Sequence, residues 1–304
     1  MLTGPGCPDD VLPPITTATS DPAANAAGWN NHDVTVTLSA VDDPGGSGVA
    51  SITYSVEGPA PAAPRTVLGS TATITVDAEG INTITFSATD NAGNAEAAQT
   101  KVVRLDKSDP TVTFSAPDPT PNGFGWNNGD VSVAFEVADS LSGIESSAPA
   151  SPLRFGDEGA GQAALVTATD VAGNSAAVGS PVVNVDKTAP RCSATATPAT
   201  LWPANHSLTP VAVTVDSDDP LSGLLSTVLV SAASSEPDNG LGDGDTSNDV
   251  QSFDLGTLDT SGLLRAERSG DGSGRRYTLT YEVRDKAGNA STCAAVVTVP
   301  HNRR

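Results

Sequence analysis

The chain is poor in aromatic residues, in basic residues and in cysteine. Of its 304 residues only 4% are aromatic, and 15 Lys and Arg stand against 36 Asp and Glu, giving a formal net charge of −21 at pH 7. A surface of this sign repels phosphate backbones and anionic lipid headgroups, whereas it attracts divalent cations. No apolar run reaches the 18 residues expected of a membrane-spanning helix. The sequence therefore predicts neither nucleic-acid binding nor membrane insertion.

Three Cys are too few for a disulfide-rich scaffold, and their odd number leaves at least one unpaired within the chain. Met1 is followed by neither a basic segment nor an apolar stretch, so the sequence has no recognisable export signal. We expect the chain to be a fragment, or its start codon to be misplaced. In contrast, 29 Gly and 23 Pro indicate a turn-rich β-protein.

Three landmarks recur in the same order and indicate three related repeats. Each repeat has a Trp, then a Ser-Gly-aliphatic step with an Asp a few residues upstream, then an Asp-x-Ala-Gly-Asn segment. The landmarks begin at Trp29, Ser47 and Asp90, at Trp126, Ser142 and Asp170, and at Trp202, Ser222 and Asp285. Pro110 and Pro190 stiffen the linkers between repeats. We therefore predict a first repeat at 11–107, a second at 108–187 and a third at 188–300, with ragged ends at 1–10 and 301–304.

Within each repeat the hydrophobic period is two. Val34, Val36 and Leu38 alternate with polar residues, and the same pattern leads into each Asp-x-Ala-Gly-Asn segment. Because alternation places apolar side chains on one face of a strand, this predicts half-buried strands and antiparallel β-sandwiches with Greek-key connections. The stretch from the Ser-Gly step to the Asp of the Asp-x-Ala-Gly-Asn segment covers only 142–170 in the second repeat, compared with 47–90 in the first. Its full complement of strands is therefore an open question.

The Asp-x-Ala-Gly-Asn segments have two interpretations. The simpler one is a hairpin turn, in which Asp accepts backbone hydrogen bonds and Gly supplies a positive φ. The other adds calcium: Asp90, Asp170 and Asp285 would each give a carboxylate to an ion shared with the Ser-Gly loop.

The third repeat contains a dense acidic segment at residues 236–249. Its candidate metal ligands are Glu236, Asp238, Asn239, Asp243, Asp245 and Asp249. Like charges so close together favour a cation, and Ca²⁺ takes six to eight oxygen ligands of this kind. The spacing does not match an EF-hand, so a solvated loop held by Asx-turns is the alternative.

Two further sets of residues stand out. Trp29 and Trp126 open the alternating runs, either as packing residues or as sugar-stacking platforms oriented by neighbouring Asn residues. Cys192 and Cys293 lie in the first and last strands predicted for the third repeat, so we expect a disulfide and an oxidising compartment. Cys7 would be left over. The three His are dispersed and no nucleophile motif is present, which argues against an enzyme.

The first two repeats resemble bacterial immunoglobulin-like repeats. The resemblance rests on Gly-Trp-Asn-Asn-x-Asp-Val, the Ser-Gly step, the Ala-Gly-Asn turn and Asp-Lys-x-x-Pro. The third repeat is similar to hyalin-like repeats in having one Cys after the leading Pro and another after the Ala-Gly-Asn turn. The resemblance implies three tandem immunoglobulin-like β-sandwich modules in an elongated arrangement.

The same resemblance implies an extracellular or cell-surface location and a non-catalytic role. We expect a structural or adhesive stalk of a secreted or surface-displayed bacterial protein, stiffened by Ca²⁺. Its partners would be other domains of a larger surface protein, or a cell-surface protein or glycan. The alternative is a carbohydrate-binding accessory module of an extracellular hydrolase.

Overall fold

A computed structural model describes residues 10–239 and 246–302, which contain 23 β-strands and no helix. The chain divides into two compact units. The first unit takes the chain up to residue 114 together with 135–151 and 164–180, and the second takes 115–134, 152–163 and the chain from 181 onward. The described residues include no helix long and apolar enough to cross a membrane.

The first repeat folds into two antiparallel sheets, which both belong to the first unit. Its strands are β1 (Ile15–Asp21), β2 (Val34–Val41), β3 (Val49–Glu57), β4 (Ala62–Leu68), β5 (Thr71–Val76), β6 (Gly80–Asp90) and β7 (Gln99–Leu105). One sheet has the order β1-β2-β5 and the other β4-β3-β6-β7. The chain passes from one sheet to the other between β2 and β3, between β4 and β5, and between β5 and β6. This is the Greek-key order of an immunoglobulin-like sandwich.

The core of the first repeat lies between these two sheets. Leu38 of β2, Ile52 of β3 and Ile84 of β6 are fully buried in one hydrophobic cluster. Every second residue of β6 is buried, as the alternation in the sequence predicts. Burial of a large apolar side chain such as Leu38, Ile52 or Ile84 contributes about 1.5 to 3 kcal/mol.

The strands of the second repeat are short and belong to both units. They are β8 (Thr111–Phe114), β9 (Val131–Val133), β10 (Phe135–Ala138), β11 (Ile144–Ala148), β12 (Leu153–Phe155), β13 (Gly159–Gln162), β14 (Leu165–Asp170), β15 (Ser175–Gly179) and β16 (Val183–Val185). In the first unit β10 pairs with β8, and β14 lies between β11 and β15. In the second unit β12 pairs with β9 and β13 with β16. Within residues 108–187 no strand pairs with the outer edge of β11, where β4 pairs with β3 in the first repeat, which accounts for the shorter span.

The third repeat has two sheets in the second unit. Its strands are β17 (Arg191–Thr197), β18 (Leu208–Asp218), β19 (Leu224–Ser234), β20 (Val250–Gln251), β21 (Ser261–Arg265), β22 (Gly274–Asp285) and β23 (Ala290–Pro300). The sheet orders are β17-β18-β21-β20 and β19-β22-β23. Leu229, Leu264 and Tyr281 are fully buried in the clusters that the two sheets share. The expected pair Cys192 and Cys293 is disulfide-bonded, with Cα atoms 5.5 Å apart, and joins β17 of one sheet to β23 of the other.

Candidate cation sites at repeated aspartate clusters

The Asp-x-Ala-Gly-Asn segments form three nearly identical turns, which we call the first turn (residues 90–94), the second turn (170–174) and the third turn (285–289). In the second turn Asp170 Oδ1 accepts the Asn174 N–H at 2.8 Å, and Asp170 Oδ2 accepts Asn174 Nδ2 at 2.7 Å. The other two turns have the same pair of bonds. Gly173 adopts a φ of 99°, which only Gly adopts without strain. The turn interpretation therefore describes the local geometry.

The Ser-Gly loop places a second Asp beside each turn. Gly143 N donates to Asp139 Oδ1 at 2.8 Å, and the Gly143 carbonyl accepts Val171 N of the second turn at 2.9 Å. In the third repeat Gly223 N donates to Asp219 Oδ1 at 2.6 Å. In the first repeat the equivalent bonds are made by Gly48 with Asp42 and with Asn91. The loop and the turn are thus fastened to each other by the main chain.

A third Asp comes from the segment just before each repeat. Asp106 Oδ2 accepts Ser142 N at 2.9 Å, and the backbone carbonyl of Asp106 accepts Asn174 Nδ2 at 2.9 Å. Asp186 and Asp10 have the same two bonds in the third and first repeats. The backbone N–H of Ser47, the strongest influence, holds the pKa of Asp10 below its usual value. The sequence interpretation missed these three residues, although their common Asp-x-x-x-Pro spacing was a usable signal.

These aspartates form three clusters. The first cluster is Asp10, Asp42 and Asp43, the second is Asp106, Asp139 and Asp170, and the third is Asp186, Asp219 and Asp285. Within each cluster one carboxylate oxygen per residue lies within 4.8 Å of the others. All three members of the third cluster are buried, as are Asp106 and Asp170 of the second. The calcium interpretation of the turns predicted Asp90, Asp170 and Asp285 as ligands. Asp170 belongs to the second cluster and Asp285 to the third, whereas Asp90 belongs to none of the three clusters.

Such proximity is unfavourable for ionised carboxylates. Two unit charges 4 Å apart repel by about 4 kcal/mol at the effective dielectric constant of a protein near its surface. Among the described residues no Lys, Arg or His forms an ion pair with any cluster member. In the first cluster Asp42 Oδ1 and Asp43 Oδ1 are buried and have no hydrogen-bond partner in the described part of the chain. A donor set made only of oxygen suits a hard cation such as Ca²⁺ and does not suit Zn²⁺, which prefers nitrogen and sulfur.

The acidic segment of the third repeat has a different environment. Glu236 Oε2 accepts Arg275 Nε at 3.2 Å, and Asp249 Oδ1 accepts Arg265 Nε at 3.1 Å. Asp249 Oδ2 also pairs with Arg275 Nη1, and burial, the largest influence, raises the pKa of Asp249. Asp238 instead accepts the backbone N–H of Asp249 at 2.7 Å. Two of the predicted metal ligands are therefore neutralised by arginines.

The other predicted ligands of this segment are less informative. Asn239 is exposed, and Asp243 and Asp245 lie outside the described residues. Cys7 also lies outside them.

The two predicted tryptophan platforms lie in loops that pack on the turns; we call residues 25–31 and 122–128 the tryptophan loops. Trp29 and Trp126 are half-buried, and neither is among the buried core residues. The neighbouring Asn30 and Asn127 are buried. The Asn30 carbonyl accepts Asp106 N at 2.9 Å, and the Asn127 carbonyl accepts Asp186 N at 2.9 Å. The tryptophan loops thereby help to place two of the cluster aspartates.

No protein-family model matches the chain, and no curated protein matches it. Solved structures of tandem-domain proteins do. A bacterial ice-binding adhesin studied for host cell surface retention has 14% identity over 95% of this chain and 98% of the other, with a TM-score of 0.35. Titin domains A168–A170 have 11% identity over 95% and 99%, with a TM-score of 0.31. Protocadherin gamma B2 domains 3–6 have 16% identity over 89% and 69%, with a TM-score of 0.33. At these identities and TM-scores none of them indicates what this chain binds.

Proposed function

We propose that the chain is a non-catalytic structural or adhesive stalk of a secreted or surface-displayed bacterial protein, built of three immunoglobulin-like modules at 11–107, 108–187 and 188–300. In this proposal the aspartate clusters bind Ca²⁺ and stiffen the segments between modules. The partners are other domains of a larger surface protein, or a cell-surface protein or glycan. The Cys192–Cys293 disulfide supports an oxidising, extracellular location.

The observation that carries the proposal is the position of Asp106 and Asp186. Asp106 directly follows β7, the last strand of the first repeat, and its carboxylate is clustered with Asp139 and Asp170 of the second repeat. Asp186 directly follows β16 and is clustered with Asp219 and Asp285 of the third repeat. An ion held by three such carboxylates would fasten the segment before a repeat to two loops of that repeat. Without the ion, the same carboxylates would repel one another and loosen the segment.

Thermal unfolding with Ca²⁺ and with a chelator tests this directly. The informative variant is Asp139→Asn with Asp219→Asn, because an Asn oxygen still accepts the loop N–H groups of Gly143 and Gly223 while the negative charge is removed. Each occupied cluster of the wild type should contribute about 2.7 kcal/mol when Ca²⁺ is present at 100 times its Kd. The variant should lose the gain from the second and third clusters and keep only that of the first, whose Asp10, Asp42 and Asp43 are unchanged. In the chelator it should be more stable than wild type, because repulsion is relieved.

The control is Asp157→Asn, which removes a charge from an exposed residue outside the clusters. It should keep the full calcium response of wild type. A wild type without any calcium response would refute the calcium part of the proposal, and so would an undiminished response in the double variant. If Asp243→Ala with Asp245→Ala abolished the response instead, the ion would belong to the acidic segment.

The carbohydrate-binding alternative has less support from the contacts. Trp29 and Trp126 are half-buried, and a groove of about 670 Å³ in the first unit has no aromatic residue in its lining. Sugar binding generally uses an exposed aromatic face with polar neighbours. Saturable glycan binding that is lost in Trp29→Ala or Trp126→Ala would favour the alternative.

A further inference from the structure

The two tryptophan loops make the same contact with a turn. Asn25 Nδ2 donates to the Val171 carbonyl of the second turn at 2.8 Å. Asn122 Nδ2 donates to the Lys286 carbonyl of the third turn at 2.8 Å. Each Asn lies four residues before its Trp and also accepts the Trp backbone N–H through Oδ1, at 3.0 Å for Trp29. The Asn side chain is therefore oriented by its own loop and recognises the turn of the next repeat.

The first turn has the Asp–Asn hydrogen bonds of the other two, although Gly93 N bonds to the Asp90 carbonyl and, unlike Gly173 and Gly288, not to the Asp side chain. Asp90 N donates to the Asn94 carbonyl at 3.1 Å, as in the second and third turns, and Asn91 N donates to the Gly48 carbonyl at 2.9 Å. Asn94 Nδ2 donates to the Asp10 carbonyl at 3.0 Å, so Asp10 takes the place that Asp106 and Asp186 take in the later repeats. The backbone of the first turn and the segment at Asp10 are therefore bonded to each other as in the other two repeats.

What differs is the outer surface of the first turn. Ala172 and Ala287, the alanines of the second and third turns, are each 5% exposed, whereas Ala92 of the first turn is exposed. The Asn91 carbonyl, which corresponds to the carbonyls of Val171 and Lys286, accepts no hydrogen bond from the described residues. The first turn therefore offers the same backbone acceptor as the second and third turns. In the described part of the chain, however, no Asn of a tryptophan loop donates to it.

We propose that the first turn is a docking surface for a further immunoglobulin-like module that carries an Asn-x-x-Gly-Trp-Asn loop and is joined to the chain through Asp10. The equivalence of Asp10 with Asp106 and Asp186 argues for a module in the same polypeptide. A second copy of this chain fits less well. In each copy the two tryptophan loops are already bonded to the second and third turns of the same chain. The third Trp, Trp202, has Pro198 four residues before it, where the donor Asn is required.

The test is a full-length chain with a tandem duplication of residues 10–105, in a Cys7→Ser background. The added copy then supplies a tryptophan loop next to the resident first turn. Ala92→Cys is introduced either in the resident copy or in the added copy, and the rate of thiol labelling under native conditions is compared. The resident thiol should react roughly ten times more slowly than the added one, because labelling a covered residue requires local opening.

Asn25→Ala in the added copy is the specific control, and it should restore fast labelling of the resident thiol. Equal labelling of the two copies in a folded chain would overturn the proposal, as would protection that Asn25→Ala leaves unchanged. Protection of Ala92→Cys in the unduplicated chain that increases with protein concentration would assign the surface to a second copy instead. The inference rests on the proposed stalk of tandem modules. Its failure can be distinguished from failure of the calcium proposal, because thiol labelling of Ala92→Cys does not depend on Ca²⁺.

Discussion

Asn174 bonds Asp106 and Asp170 to each other through a single amide. Its Nδ2 donates to the Asp106 backbone carbonyl at 2.9 Å and to Asp170 Oδ2 at 2.7 Å. Asn289 makes the same pair of bonds with Asp186 and Asp285. The last residue of each turn thus connects the turn to the linker before it. An Asn is required here because it offers two N–H donors on a short side chain.

Asn174→Ala should therefore destabilise the protein by about 1 to 3 kcal/mol, since it leaves a buried carboxylate oxygen and a carbonyl without their donor. Urea unfolding of the full chain measures the change. Asn239→Ala is the matched control, because Asn239 is exposed. It should change stability by no more than about 0.5 kcal/mol. Equal effects of the two substitutions would show that the Asn174 bonds do not stabilise the turn.

Arg275 is the buried cation of the acidic segment in the third repeat. Its side chain is fully buried and contacts both Glu236 and Asp249, whose side chain is 1% exposed. Arg275→Met should cost about 1 to 3 kcal/mol, because it leaves the buried Asp249 Oδ2 without its donor while Arg265 still pairs with Asp249 Oδ1. Adding Asp249→Asn should recover part of this loss.

Arg276→Met provides the control for this prediction. Arg276 is the next residue on the same strand, and it is exposed. Its substitution should change the free energy of unfolding by less than about 0.5 kcal/mol. A similar loss in both variants would point to a general intolerance of β22 rather than to a buried ion pair.

Local pattern was enough for the strands and turns, but not for the clusters. The alternation at Val34, Val36 and Leu38 predicted β2, and all three residues are buried. The role of Asp106 was hidden because it lies 36 residues from Ser142 in sequence, and only the sheet topology brings them together. The acidic segment was interpreted as a metal site from its composition, since nothing in the composition reveals that Arg275 lies buried beside it.

Glu158 gives a prediction about pH. Its Oε1 accepts the Lys187 backbone N–H at 2.6 Å and the Thr188 hydroxyl at 2.9 Å, and these bonds hold the pKa of Glu158 below its usual value. A carboxyl group with a lowered pKa in the folded state contributes stability above its unfolded pKa of about 4.3 and loses it as pH falls through the folded value. Glu158→Gln should therefore be less stable than wild type at neutral pH.

The difference between Glu158→Gln and wild type should shrink as the pH is lowered below about 4. Urea unfolding across this range measures it. Glu145→Gln, at an exposed position without a hydrogen bond from the described residues, should show little difference at any pH. A stability penalty of Glu158→Gln that stays constant with pH would mean that the carboxylate charge is not what stabilises this linker.

The disulfide between Cys192 and Cys293 leads to a prediction confined to the third repeat. It closes a loop with a sequence separation of 101 residues between the two sheets. Its removal should destabilise the third repeat by roughly 2 to 5 kcal/mol, because the crosslink lowers the conformational entropy of the unfolded chain. Calorimetry of Cys192→Ser with Cys293→Ser should show one transition moved to lower temperature and the others unmoved, whereas Cys7→Ser should move none. Three free thiols in protein purified under oxidising conditions would contradict the disulfide, and with it the expectation of an oxidising compartment.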